Sequence, residues 1–114
     1  MFDFQKLKVY QYAVELYECF SVFAETKNLD RTTKDQLKRA SLSIALNIAE
    51  GNSRFSKRDK RNFLVIARGS AFECVAIMDC LLKTKTINEV AHKLFFDKLE
   101  RISKMIFGII RKLD

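Results

Sequence analysis

The sequence predicts an all-α fold, an antiparallel up-down-up-down four-helix bundle formed by residues 1–114 as a single domain. Three observations predict it. The 114 residues include no proline and only three glycines, Gly51, Gly69 and Gly108, and a chain so poor in turn-formers divides into few, long elements. Apolar residues recur at three- and four-residue steps, the spacing of helices with one buried face. Three short polar links separate four segments of similar length, which makes consecutive helices antiparallel neighbours. A chain of this size buries roughly two-thirds of its unfolded surface, and 48% hydrophobic residues supply one core.

The first helix is predicted from about Lys6 to Lys27. Leu7, Tyr10, Val14, Tyr17 and Ala24 step along its apolar face, which Val9, Ala13, Leu16, Phe20 and Phe23 widen. Lys8, Gln11, Glu15, Glu18 and Glu25 mark the wet side. Phe2 and Phe4 precede it as a short arm on the bundle end. After the link at 28–30, Thr33 is expected to cap the second helix, with Gln36 completing a capping box. That helix is expected to run to Glu50, with Gly51 in the glycine position that follows a helix end. Ser56 with Asp59 opens the third helix, to about Lys83. Thr86 with Glu89 opens the fourth, to about Lys112, with Phe95, Leu99, Ile102, Ile106, Ile109 and Leu113 as its core stripe.

The second helix breaks the amphipathic rule. Ten residues, Ala40 to Ala49, carry no charge in a chain that is 31% charged. Leu37, Ile44 and Ile48 form one stripe, while Leu42, Ala45, Leu46 and Ala49 form another that points elsewhere. On the third helix Val65, Phe72 and Ala76 lie in the same stripe as the outward charges Arg61, Arg68, Asp79 and Lys83. Aligned exposed apolar residues suggest a patch. The sequence therefore predicts a homo-oligomer, with Leu42, Leu46, Val65, Phe72 and Ala76 as candidate interface residues. The rival reading makes the second helix the central one of a squat monomer. Gly69, in mid-helix, costs about 1 kcal/mol against Ala; close approach of a neighbour or a local kink would account for it.

Arg39, Asn47, Glu50, Arg68, Ser70 and Glu73 lie beside or inside apolar runs. A buried charge needs a partner, so these six are read as a structural polar network that sets register, against a rival reading as an active site. No catalytic apparatus is recognisable. The single histidine, His92, follows Glu89 by three, half of a di-metal Glu-x-x-His pair whose second half is missing. It also leaves Ser-His and Cys-His chemistry without support. No P-loop, GxGxxG or HExxH is present. Cys19, Cys74 and Cys80 lack metal or redox spacing and read as small hydrophobes. No enzymatic activity, metal or cofactor is expected. The N-terminus lacks an uninterrupted apolar signal core, and no apolar run approaches the ~20 residues of a membrane span, so a reduced, cytoplasmic protein without membrane contact is expected.

The formal charge is +7 and the pI about 9.5, a balance that suits polyanions. It peaks at Arg54–Arg61, RFSKRDKR, where Arg54, Lys57, Arg58, Lys60 and Arg61 are candidate nucleic-acid contacts. Helix-start N–H groups add to the anion-binding character, and Phe55 offers a ring for a base to stack on. The rival reading is a solvated helix end.

RASLSIALNIAEGNSR (Arg39 to Arg54), followed by FLVIARGSAFE (Phe63 to Glu73), resembles the signature of the bacterial four-helix bundle protein family. The family is encoded in intervening sequences of large-subunit ribosomal RNA genes, and its members were labelled ribosomal proteins. The opening FDFQKLKVYQYAVEL is similar to the family's start, with Tyr10 where Trp is usual. The resemblance implies a barrel-shaped homopentamer without enzymatic activity, related to the accessory variability-determinant protein of diversity-generating retroelements, whose basic surface binds nucleic acid and a reverse transcriptase. The family motif falls on Arg39, Ser43, Asn47, Glu50, Gly51, Arg54, Phe63, Ala67, Gly69, Ser70 and Glu73. Two partner classes follow beyond the chain itself: RNA or DNA, or another protein for which the bundle is a scaffold.

Overall fold

The computed structural model describes residues 1–113 and is built from helices. A 3-10 turn (Asp3–Lys6) leads into α1 (Lys8–Thr26), α2 (Arg31–Ser53), α3 (Lys57–Lys83) and α4 (Glu89–Lys112). The expected four-helix bundle is present, 44 Å in its longest dimension. That matches the ~40 Å of a 27-residue helix such as α3 at 1.5 Å per residue. α2 and α3 pack most extensively, and of the neighbouring helix pairs α1 and α4 pack least.

The core is one continuous cluster. α1 contributes Val9, Ala13, Leu16, Phe20, Phe23 and Ala24, and α4 contributes Phe95, Leu99, Ile102 and Ile106. Phe95 stacks on Phe20 with centroids 4.4 Å apart and meets Phe23 edge-on at 5.1 Å, the geometries that ring quadrupoles favour. In α1 the residues expected only to widen the face are all core, and of the expected stripe Ala24 is buried with them while Leu7 and Tyr10 pack at the core's edge. Val14 lies on the opposite side and is exposed, because the helix turns the Val9–Ala13–Leu16 row toward α2 and α4.

Two helix starts differ from expectation. Asp30, not Thr33, caps α2: its Oδ1 accepts the Thr33 N–H at 2.8 Å. Asn88, not Thr86, caps α4, accepting the Ala91 N–H at 2.9 Å. Asx side chains are at least as good acceptors there as Thr, and each sits just before the first helical residue. Ser56 caps α3 as expected, accepting the Asp59 N–H at 3.1 Å. Gly51 does not end α2. It lies buried inside the helix, which continues to Ser53. Its missing side chain serves close approach: a β-carbon there would stand 3.2 Å from the Phe63 β-carbon. Gly69 has nothing within 4 Å of that position, so no neighbour within the chain explains it.

Candidate nucleic-acid interface

The turn between α2 and α3 does not stand alone. In an up-down-up-down bundle the start of α1, the α2–α3 turn and the end of α4 share one end. Leu7, Gly51, Asn52, Lys60, Ile109 and Leu113 line one cleft there. That end gathers Lys6, Lys8, Arg54, Lys57, Arg58, Lys60, Arg61, Arg111 and Lys112. Among the described residues these nine cations face only three acids, Asp3, Glu50 and Asp59. The opposite end is more balanced, with Lys27, Arg31, Lys34, Lys38, Lys83, Lys85 and Lys93 against Glu25, Asp30, Asp35, Asp79 and Glu89.

The five turn cations are not equivalent. Lys57 and Arg58 are exposed on the first turn of α3. Lys60 is half-buried and donates from Nζ to the Asn52 carbonyl at 3.2 Å, placing a cation at the negative end of the α2 dipole. Arg54 is drawn back onto the bundle: its Nη2 donates to Glu50 Oε2 at 2.9 Å, and its guanidinium lies 4.6 Å over the Phe63 ring. Arg61 is half-buried. Phe55 projects into solvent, wholly exposed. Lys6, Lys8, Arg111 and Lys112 are not among the candidate contacts predicted from the sequence, because they lie far from the turn in the chain. The antiparallel order of the helices is the signal that would have found them.

The structure does not assemble the six polar candidates into an internal network. Ser70 Oγ meets Ser43 Oγ at 2.8 Å, and Asn47 Nδ2 donates to the Ser43 carbonyl at 2.8 Å and to its Oγ at 3.0 Å. That hydroxyl–amide cluster, with Ser43 at its centre, joins α2 to α3. Arg39, Glu50 and Glu73 are exposed, so these three charges stay in solvent, whereas Arg68 is half-buried and its Nε is buried without a hydrogen-bond partner. Arg68 lies between two rings, 4.7 Å from Phe72 and 5.1 Å from Phe107.

The five interface candidates lie on the outside. Leu42, Leu46, Val65, Phe72 and Ala76 are all exposed, Leu46 by 54% and Val65 and Phe72 by 53% each. Ile66, outside the predicted set, joins them at 50%. Of the second stripe of α2, Ala45 is buried and Ala49 half-buried, and Leu42 and Leu46 are left exposed. Between α3 and α4 a groove of about 440 Å³ combines Phe72, Val75 and Phe96 with Arg68, Asp79, Glu100 and Lys104.

Among the described residues no three His, Cys, Asp or Glu side chains lie close enough to hold a metal ion. His92 Nε2 meets Asp79 Oδ1 at 2.7 Å, tying α4 to α3. Burial pushes the Cys74 thiol up to about 12, with the Glu73 carboxylate adding to the shift, so that thiol stays neutral. No described helix is long and apolar enough to cross a membrane.

A model of the 23S rRNA-intervening sequence protein family matches residues 5–108. A crystal structure of a protein of unknown function from the S23 ribosomal protein family, from Bacteroides thetaiotaomicron, superposes with a TM-score of 0.83. It is 24% identical and covers 90% of this chain and 97% of its own, a likeness of fold. No curated protein matches the chain.

Proposed function

The chain belongs to the 23S rRNA-intervening sequence protein family, and from that premise we propose a non-enzymatic, homo-oligomeric basic protein that binds RNA or DNA through the Arg54–Arg61 turn. One observation carries the reading: the nine-to-three excess of cations among the described residues at one end of the bundle, with Lys57 and Arg58 exposed at its turn. Phosphates are attracted by such a field whatever the sequence of the strand. The exposed apolar faces of α2 and α3 support assembly, for which the family resemblance implies five copies. A ring repeats the basic end around one rim, and multivalency then converts a weak phosphate affinity into a useful one.

Filter binding to a structured RNA over a salt series tests the reading. Affinity is expected to fall steeply with salt, and joint substitution of Lys57, Arg58 and Arg61 by Ala is expected to flatten the slope by about 0.9 per lost phosphate contact. Undetectable binding at low salt, or an unchanged slope in the variant, rejects it. The second reading is a protein-interaction scaffold. The α3–α4 groove supports it, since it presents apolar and charged groups together. A pull-down repeated after nuclease treatment separates the two, because partners held through nucleic acid are lost.

A further inference from the structure

Resting on the nucleic-acid reading above, we propose that the basic end takes its nucleic acid as an unpaired strand, with a base stacked on Phe55 and phosphates on the flanking cations.

The geometry sets Phe55 apart from every other aromatic residue near it. Phe63 is covered by the Arg54 guanidinium, and Phe4 packs edge-on against Tyr10 at 4.9 Å. Phe55 is 102% exposed. Its neighbour Arg54 is held to the bundle by Glu50 and Phe63, so the turn projects the ring. Ser56 anchors the other side by capping α3. A large apolar ring is thus held out between cations by a turn pinned on both sides.

A duplex offers such a ring little. Its bases are already stacked on one another, so only phosphates and groove edges are within reach. An unpaired nucleotide exposes its π-face, and stacking on an aromatic side chain is favourable for any base. Lys57 and Arg58, close by in the chain, are positioned for the phosphates that follow. Phe2, just before the 3-10 turn at the same end, is 72% exposed but already stacks on Phe4 with centroids 6.0 Å apart. The alternative use of an exposed ring beside cations is an anionic lipid surface. One projecting Phe gives little apolar area for that, whereas it suffices for one base.

The test uses the full chain, a labelled mixed-sequence RNA strand, the same strand annealed to its complement, and vesicles containing anionic lipid. Because Phe55 touches nothing that holds the fold, Phe55→Ala leaves the bundle intact. The single strand is expected to bind more tightly than the duplex at equal salt. Phe55→Ala is expected to weaken single-strand binding roughly 5- to 150-fold and to leave duplex binding unchanged, whereas Phe55→Trp is expected to keep single-strand binding. Equal affinity for both forms, or a silent Phe55→Ala with binding lost in the joint Lys57 and Arg58→Ala variant, overturns this inference while the nucleic-acid reading stands. Absence of binding to either form overturns both. Vesicle binding that depends on Phe55, with the single strand indifferent to it, also overturns the proposal.

Discussion

A β-carbon on Gly51 of α2 would stand 3.2 Å from the Phe63 β-carbon and 3.3 Å from the Lys60 carbonyl oxygen of α3. Both atoms are fixed by the helix they belong to, so neither can swing aside. Gly51→Ala gains about 1 kcal/mol of helix propensity but forces apart two closely packed helices, an overpacking that costs about 1–3 kcal/mol. We expect a net loss on the order of 1 kcal/mol, read as a lower urea midpoint. Gly108 has nothing within 4 Å of its missing side chain. Gly108→Ala should therefore raise the midpoint, by up to about 1 kcal/mol. A Gly51→Ala chain as stable as wild type would contradict the close-approach account.

Lys85 carries a strain that glycine would relieve. It follows α3 at φ 61°, where its N–H donates to the Leu82 carbonyl at 3.0 Å and the Thr86 N–H donates to Leu81 at 2.9 Å. This is the six-to-one and five-to-two pattern that closes a helix through a left-handed residue. A non-glycine there costs about 1–2 kcal/mol, of which glycine returns part through its freer unfolded chain. The Lys85 residue is exposed. Lys85→Gly is expected to raise the thermal midpoint, with a gain of roughly 0.5–1 kcal/mol. A lower midpoint would count against the strain.

Self-association should depend on the uncovered faces. Leu46→Glu and Val65→Glu place charges on the outside of α2 and α3, where each should change the stability of the isolated bundle by no more than about 0.5 kcal/mol. Each is expected to shift sedimentation toward the 13.3 kDa single chain. Gly69→Ala makes a sharper probe. With nothing of its own chain within 4 Å, it should stabilise the bundle by up to about 1 kcal/mol and yet weaken assembly. Wild-type protein already sedimenting at 13.3 kDa at micromolar concentration would reject the oligomer.

Acid should loosen the start of α2 first. The backbone and side-chain hydrogen bonds from Thr33 hold the Asp30 carboxyl below its ordinary 3.8. A carboxylate whose folded value is depressed contributes stability that is fully present above the unfolded value and is lost as pH falls through the folded one. The protection factor of the Thr33 amide, corrected for the intrinsic exchange rate at each pH, is therefore expected to be high at neutral pH and to fall below about 3.8. Asp30→Asn keeps an acceptor without the charge, so its profile should be flat through that range. An identical pH response in both proteins would exclude Asp30 as the cause.

Some of this could be read from the chain and some could not, for physical reasons. The α4 stripe from Phe95 to Ile106 was legible because charged residues flank it on both sides and leave one choice of face. In α1 two apolar rows lie side by side, and only the positions of α2 and α4 decide that Val9 is buried and Val14 is not. Ser56 announced its cap. Asp30 and Asn88 compete with Thr residues close by in the sequence, and only the helix starts at Arg31 and Glu89 decide between them. The polar residues were misplaced for a simpler reason: proximity to an apolar run in sequence does not bury a charge when a helix turns it outward, as with Arg39, Glu50 and Glu73.

The sequence by itself determined a helical bundle, since periodicity and the scarcity of turn-formers are local properties that survive without a neighbour. It also determined that α2 has more apolar surface than one bundle needs, because ten uncharged residues leave no wet face. Tertiary structure alone decided where the charge gathers. The RFSKRDKR turn is basic in any conformation, but only antiparallel packing brings Lys6, Lys8, Arg111 and Lys112 to the same end. Phe55 likewise became a projecting ring only when Arg54 folded back onto Glu50 and Phe63.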